Sequence, residues 1–306
     1  VPDQEVLGMR KGPVAWLEYV FARSLVRLAA SLPQGLREAL IRVLAWVMHT
    51  LDRQHSRAAA EYLAQALGPM SPAESRRRVR RAWQHLLRLT LAAERFARDV
   101  PPELYPQRAT VEMCPAAAAI ARAGRPCVII GAHVGDWENG VALLPQLGFS
   151  PLYAISKPPS NHYLARHAQF LRKSRGIRLL PRRGAMEFVP AVIRGGGSVA
   201  MLLDQRARVK PVLAPFFGRT ATADRSAGVL LRRLKVPLVI AAVYADERPG
   251  YYRAVFPAVI EPEELAGASP EAVAARINAE LERLILACPD QYFWLHDRYR
   301  GAPAEG

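Results

Sequence analysis

The sequence predicts an α/β fold, in which a helical first third leads into strands alternating with helices around a central, largely parallel or mixed sheet. Two observations carry this. Apolar residues recur at helical spacing through the first hundred positions, and short apolar strings such as Cys127-Val-Ile-Ile-Gly-Ala are then each followed by a segment of helical period. Composition agrees: of 306 residues, 51% are hydrophobic and 23% charged, which excludes wholesale disorder and supports a sizeable core.

The elements follow in order. Leu17, Val20, Phe21, Leu25 and Leu28 share one face of a helix over 13–31, and Pro33 separates it from a second over 36–51. Trp16, Tyr19, Phe21 and Trp46 give this pair the aromatic residues of a membrane interface. Helices over 55–67 and 72–98 complete a helical segment spanning 1–100, with Arg76, Arg77, Arg78, Arg80 and Arg81 as a basic run in the last. The core then occupies 101–306, continuous with that segment. Its expected strands are 127–132, 152–156, 177–180, 198–203, 236–244 and 251–259, and its expected helices are 136–144, 161–174, 184–194, 222–235 and 271–287. Pro145, Gly176 and Pro289 stop three of these helices, as residues that cannot continue a helix or that favour its C-terminal turn.

Cys114, Cys127 and Cys288 match no zinc or redox spacing and form no disulfide framework, which points to a reducing setting. The longest charge-free run, 139–156, contains Gly140, Pro145, Gly148 and Pro151 and reads as soluble core, not a membrane span. The chain begins at Val1, which leaves an upstream anchor open.

The net charge of +15 is concentrated. Residues 157–235 hold 17 basic residues and three acids, and residues 1–100 hold 16 and nine. Such a basic middle suits an anionic partner, and the excess of arginine (37, against five lysines) suits bidentate phosphate binding. Nucleic acid is disfavoured because no helix-turn-helix, RRM-like or zinc-finger pattern occurs.

The chemistry concentrates in Gly131-Ala132-His133-Val134-Gly135-Asp136-Trp137-Glu138-Asn139-Gly140. A buried strand ends there, a glycine permits a tight turn, and the carboxyl ends of strands are where α/β sheets build ligand sites. His133 with Glu138 makes a minimal general-base pair, in which the carboxylate fixes the ring tautomer and stabilises the imidazolium. Asp204 is a second carboxylate at a strand end, and the sequence leaves open which of the two partners the histidine. Metal ligation by His133, Asp136 and Glu138 is disfavoured, because these spacings splay the side chains apart. No serine or cysteine sits in a nucleophile elbow, so direct attack is preferred to a covalent enzyme intermediate.

The string His-x-Gly-x-Trp-Glu over 133–138 resembles the HX4D/E motif of the bacterial lysophospholipid and lipid A acyltransferase family. That family includes the late lipid A acyltransferases and the phosphatidylinositol mannoside acyltransferases. Leu203-Asp204-Gln205 is similar to its Asp-Gln motif and Pro215-Phe216-Phe217-Gly218 to its Pro-Phe-Phe-Gly loop. Pro289-Asp290-Gln291-Tyr292-Phe293-Trp294-Leu295-His296 with Arg298 resembles its C-terminal segment, with Asp290 in place of the usual glutamate. Arg182-Arg183-Gly184 is similar to its Arg-Lys-Gly.

The resemblance implies a glycerol-phosphate-acyltransferase-like core and O-acyl transfer without a cofactor or metal. His133 would be the base, Glu138 its partner and Asp204 a further catalytic carboxylate. The donor would be an acyl carrier protein or acyl-CoA, and the acceptor an anionic membrane glycolipid such as a lipid A precursor. A mannosylated phosphoinositide, an ornithine-type lipid or a lysophospholipid fits the motifs equally. The chain would lie peripherally on the cytoplasmic leaflet of the inner membrane. Backbone amides around Gly135, or Arg166, are the candidate oxyanion donors. Trp137, Gln205, Arg182 and Arg183 would contact substrate, and Phe216 and Phe217 would turn from a loop toward the acyl chain. A non-catalytic lipid-binding module is the rival from another class, and it would leave the His–Glu pair idle.

Overall fold

The computed structural model of the chain describes residues 9–101, 104–181 and 184–302. Four helices come first: α1 (Pro13–Ser31), α2 (Gln34–Leu51), α3 (Arg53–Leu67) and α4 (Pro72–Asp99). Proline at the first turn starts α1 and α4, and the Ser71 and Asp52 side chains cap α4 and α3 by accepting from the Glu74 and His55 amides. After a short α5 (Tyr105–Arg108) come β1 (Ala109–Met113), α6 (Pro115–Ala123), β2 (Val128–Gly131) and a 3-10 turn at Gly140–Leu147. The chain continues through β3 (Leu152–Ser156), α7 (His162–Lys173), β4 (Ile177–Pro181), α8 (Ala185–Arg194) and β5 (Ser198–Leu202). A hairpin of β6 (Val212–Phe216) and β7 (Arg219–Ala223) precedes α9 (Ser226–Leu234), β8 (Leu238–Ala245), β9 (Tyr252–Ile260) and α10 (Pro270–Ala287).

Seven strands form one sheet in the order β1-β9-β8-β2-β5-β3-β4, parallel at every junction except β8–β9. Helices cover both faces, so the central strands are apolar throughout. Val128 and Ile130 of β2 enter one core with Tyr62, Leu63, Val79 and Trp83 of α3 and α4 and with α8–α10. Cys127 and Ile129 enter the opposite core with α6, the 3-10 turn, Phe149 and Phe256. This alternation is the period of a strand, and α3 and α4 share a core with the sheet instead of forming one of their own.

Three expectations are corrected. Residues 136–139 form a turn and 140–147 a 3-10 helix, where an α-helix over 136–144 is expected. The segment 222–235 starts as β7 and becomes helical only at Ser226, whose amide donates to the Asp224 carboxylate at 2.8 Å. The Pro215–Gly218 segment is the end and turn of the β6–β7 hairpin instead of a free loop.

Candidate active site

The turn after β2 is held open by long-range backbone pairing. Gly135 has φ +71°, and a Cβ there would lie 2.1 Å from the Val243 carbonyl oxygen of β8. Its N–H donates to the Gln291 carbonyl at 3.0 Å, and the Asp136 N–H donates to the Val243 carbonyl at 2.7 Å. The Phe293 N–H returns a bond to the His133 carbonyl at 2.9 Å. The 289–296 segment is therefore laid against the His133 loop as a second wall. Gln291 is fixed in turn by two side-chain bonds to the Ala245 backbone, at 2.8 and 2.9 Å.

His133 and Asp204 both lie two residues past a strand end, on the neighbouring parallel strands β2 and β5. Nδ1 of His133 stands 2.7 Å from Oδ1 of Asp204. Burial, which leaves Asp204 2% exposed, would raise its carboxyl, but the charge of His133 and the hydrogen bonds it receives hold it below the usual carboxylate range. An ionised Asp204 puts the imidazole proton on Nδ1 and leaves Nε2 with its lone pair. Nε2 stands 3.3 Å from the Gln205 side-chain nitrogen, which then donates to it. The His133 side chain is 19% exposed, and rings of Trp137 and Phe293 flank it at centroid distances of 5.4 and 6.4 Å.

Glu138 takes no part in that pair. Arg172 grips its carboxylate with two nitrogens, at 2.9 and 2.7 Å, and donates a third bond to Ser156 Oγ at 3.1 Å. Arg175 adds a bond to the Glu138 carbonyl at 3.4 Å. The fork-to-fork geometry accounts for this choice, since a planar guanidinium satisfies both carboxylate oxygens at once.

The other expected site residues divide. Trp137 and Gln205 stand beside His133, as stated. Gly135 supplies conformation, and its amide, like that of Asp136, is already spent on a backbone carbonyl. Arg166 is exposed on α7 and makes no ion pair among the described residues; Arg172, further along the same helix, is the arginine that reaches the loop. Phe216 is 2% exposed and points into the core, where the Arg298 guanidinium covers its ring, so it is not turned toward solvent or an acyl chain. Phe217 packs on Trp294, 5.9 Å between centroids. Arg182 and Arg183 lie outside the described residues.

Several residues that position the site were given no site role from sequence. Tyr292 is buried near Asp204, and burial followed by that negative charge raises it well above the ordinary tyrosine value. Arg298, also buried, donates to the Gln205 and Thr222 carbonyls. His296 accepts the Arg206 amide at 3.2 Å, and burial lowers it to about 4. Buried His85 donates to the Gly135 carbonyl at 3.0 Å and is likewise lowered to about 4, mainly by burial. The only signal for Tyr292, His296 and Arg298 lay in the C-terminal motif; His85 carried none. Among the described residues no group of three or more His, Cys, Asp or Glu is placed to hold a metal ion.

A His–Asp pair at the carboxyl ends of adjacent parallel strands, walled by aromatic rings and unaccompanied by a nucleophile elbow, is the geometry of the site. The family model for bacterial lipid A biosynthesis acyltransferases matches residues 8–301, and the chain belongs to that family. It is 24% identical over 184 residues to a lipid A biosynthesis palmitoleoyltransferase of Escherichia coli (strain K12) and, at the same identity, to a lipid A biosynthesis acyltransferase of Shigella flexneri. Each match covers 58% of this chain and 57% of the relative, so the chain spans little more than half the length of the curated relatives it matches.

Proposed function

We propose that the protein is an O-acyltransferase that moves a fatty acyl chain from a thioester to a hydroxyl of a lipid A precursor. One observation carries the reading: the 2.7 Å contact between His133 and Asp204, which leaves Nε2 as a base at the open side of the site. Family membership supplies the substrate class.

In this reaction the acceptor hydroxyl replaces the Gln205 N–H at Nε2, which takes the hydroxyl proton as that oxygen attacks the thioester carbonyl. The tetrahedral oxyanion collapses, the C–S bond breaks, and the imidazolium returns its proton to the leaving thiolate. Asp204 stabilises the imidazolium between these steps. Since the Gly135 and Asp136 amides are engaged, the Gln205 side-chain amide beside Nε2 is the favoured oxyanion donor. Glu138 acts at one remove, by fixing the loop through Arg172.

The N-terminal helices would rest on the bilayer that holds the acceptor. No helix among the described residues is long and apolar enough to cross a membrane. Val14, Leu17, Phe21, Leu25 and Leu28 of α1, and Leu36, Val43, Trp46 and Leu51 of α2, are nevertheless all at least half exposed. Apolar side chains gathered on two neighbouring helices fit interfacial binding, here assigned to the cytoplasmic leaflet.

The test is turnover of defined thioesters, acyl carrier protein against CoA, with a lipid A precursor as acceptor and product mass as readout. A product heavier by one acyl group supports the reading, and transfer only to mannosylated phosphoinositide or a lysolipid would replace the acceptor. Tight vesicle binding with no thioester consumption from any donor would favour the non-catalytic module.

A further inference from the structure

The first half of α4 carries a groove of about 490 Å³ lined by Ala73, Arg76, Arg77, Arg80, Arg81 and Gln84, with no acidic residue in its wall. These positions recur at three- and four-residue steps, so they form one strip along the helix. Arg81 reaches out to Asp290 at 2.6 Å, and Arg77 lies 3.7 Å from Glu74. Arg76 and Arg80 have no anionic partner among the described residues, and Nε of Arg80 is shielded from solvent without any acceptor. The site lies beside the end of α2: burial and then the charges of Arg80 and Arg76 lower His49, in the last turn of that helix. The exposed Trp46, Met48 and Leu51 occupy the same end of α2. Unpaired cations in an acid-free groove call for an anion, and apolar side chains next to them call for a surface carrying anions above hydrocarbon.

We infer that this groove is a headgroup site for anionic phospholipid. It binds lipid phosphates while the neighbouring α1–α2 face enters the acyl region, and so fixes the rotation of the molecule on the bilayer. The inference concerns binding and holds or fails independently of catalysis.

The experiment is co-sedimentation of the full chain with phosphatidylcholine vesicles and with mixed phosphatidylcholine–phosphatidylglycerol vesicles, for the native protein and for Arg76→Gln/Arg77→Gln/Arg80→Gln. Each arginine near an anionic surface is worth about five-fold in partitioning, so the triple variant should lose on the order of a hundred-fold in its preference for phosphatidylglycerol. Binding to phosphatidylcholine alone and the melting temperature should stay as they are. If the triple variant does not fold, Arg76→Gln/Arg77→Gln changes only exposed side chains and should lose about twenty-five-fold. An unchanged preference in a folded variant overturns the inference. So does an unchanged preference accompanied by lost affinity for an acyl carrier protein, which would make the groove a protein-docking site.

Discussion

His133 and Asp204 are 71 residues apart in the chain and 2.7 Å apart in space, each presented by the carboxyl end of one of two adjacent parallel strands. Glu138, only five residues from His133, belongs instead to Arg172. Proximity in sequence and partnership in the site are thus decoupled, and the predictions follow from that division.

His133→Ala should remove the base without unfolding the protein. Acyl transfer is expected to fall about 10²–10⁴-fold, and the melting temperature should fall as well, because the buried Asp204 carboxylate loses its partner while the rest of the core is untouched. Steady-state kinetics beside a thermal melt checks both; wild-type turnover by the folded variant would remove His133 from the mechanism.

Gln205→Ala should lower kcat by about 10²–10³-fold if its amide receives the oxyanion, with KM for the thioester much less affected. A rise in KM at constant kcat would make Gln205 a ground-state contact only.

Gly135→Ala would drive a methyl against the Val243 carbonyl at a backbone angle that favours glycine. The expected cost is at least about 2 kcal/mol, read as a fall in the urea midpoint, with activity lost alongside as the loop is displaced. A variant as stable and active as the native protein would show that the loop is not pinned to β8.

Acid stability should expose a compensation between that loop and α4, whose His85 bonds the Gly135 carbonyl. Burial lowers His85 to about 4, so between pH 6.5 and 4 the unfolded chain takes up that proton first and stability falls with pH. Burial raises Asp136 to about 6, so below that pH the folded chain is protonated first and stability rises. Each effect is on the order of 3 kcal/mol and the signs oppose. Asp136→Asn removes the stabilising one. Its urea stability should therefore drop more steeply from pH 6.5 to 4 than that of the native protein, and parallel curves would contradict this.

The sequence was a good guide wherever periodicity alone decides the outcome. The four N-terminal helices and α10 fall within about two residues of expectation, since an amphipathic repeat with proline and serine boundaries specifies a helix locally. It was a poor guide where distant backbone decides. The Asp136-Trp137-Glu138-Asn139 string looks like a helix start, yet it closes as a turn, tied at Gly135 and Asp136 to the carbonyls of Gln291 and Val243, and passes into a 3-10 helix at Gly140. The hairpin of β6 and β7 was hidden behind Pro215 and Gly218, which read as loop, and β1 and α6 carried too short a pattern to stand out. His133 and Asp204 were visible as motif residues. Their pairing was not, because it depends on β2 and β5 being neighbours, which no local pattern encodes.

The measurement that bears most directly on the role of Asp204 is kcat of Asp204→Asn, taken beside Glu138→Gln with both substrates saturating. Asparagine keeps the shape but donates to Nδ1, which moves the imidazole proton to Nε2 and disables the base. Asp204→Asn should therefore lose about 10²–10⁴-fold in kcat, and Glu138→Gln, which weakens only the grip of Arg172, should lose far less. Near-native turnover by Asp204→Asn, with the large loss falling on Glu138→Gln, would contradict the assignment of Asp204 as the partner of His133.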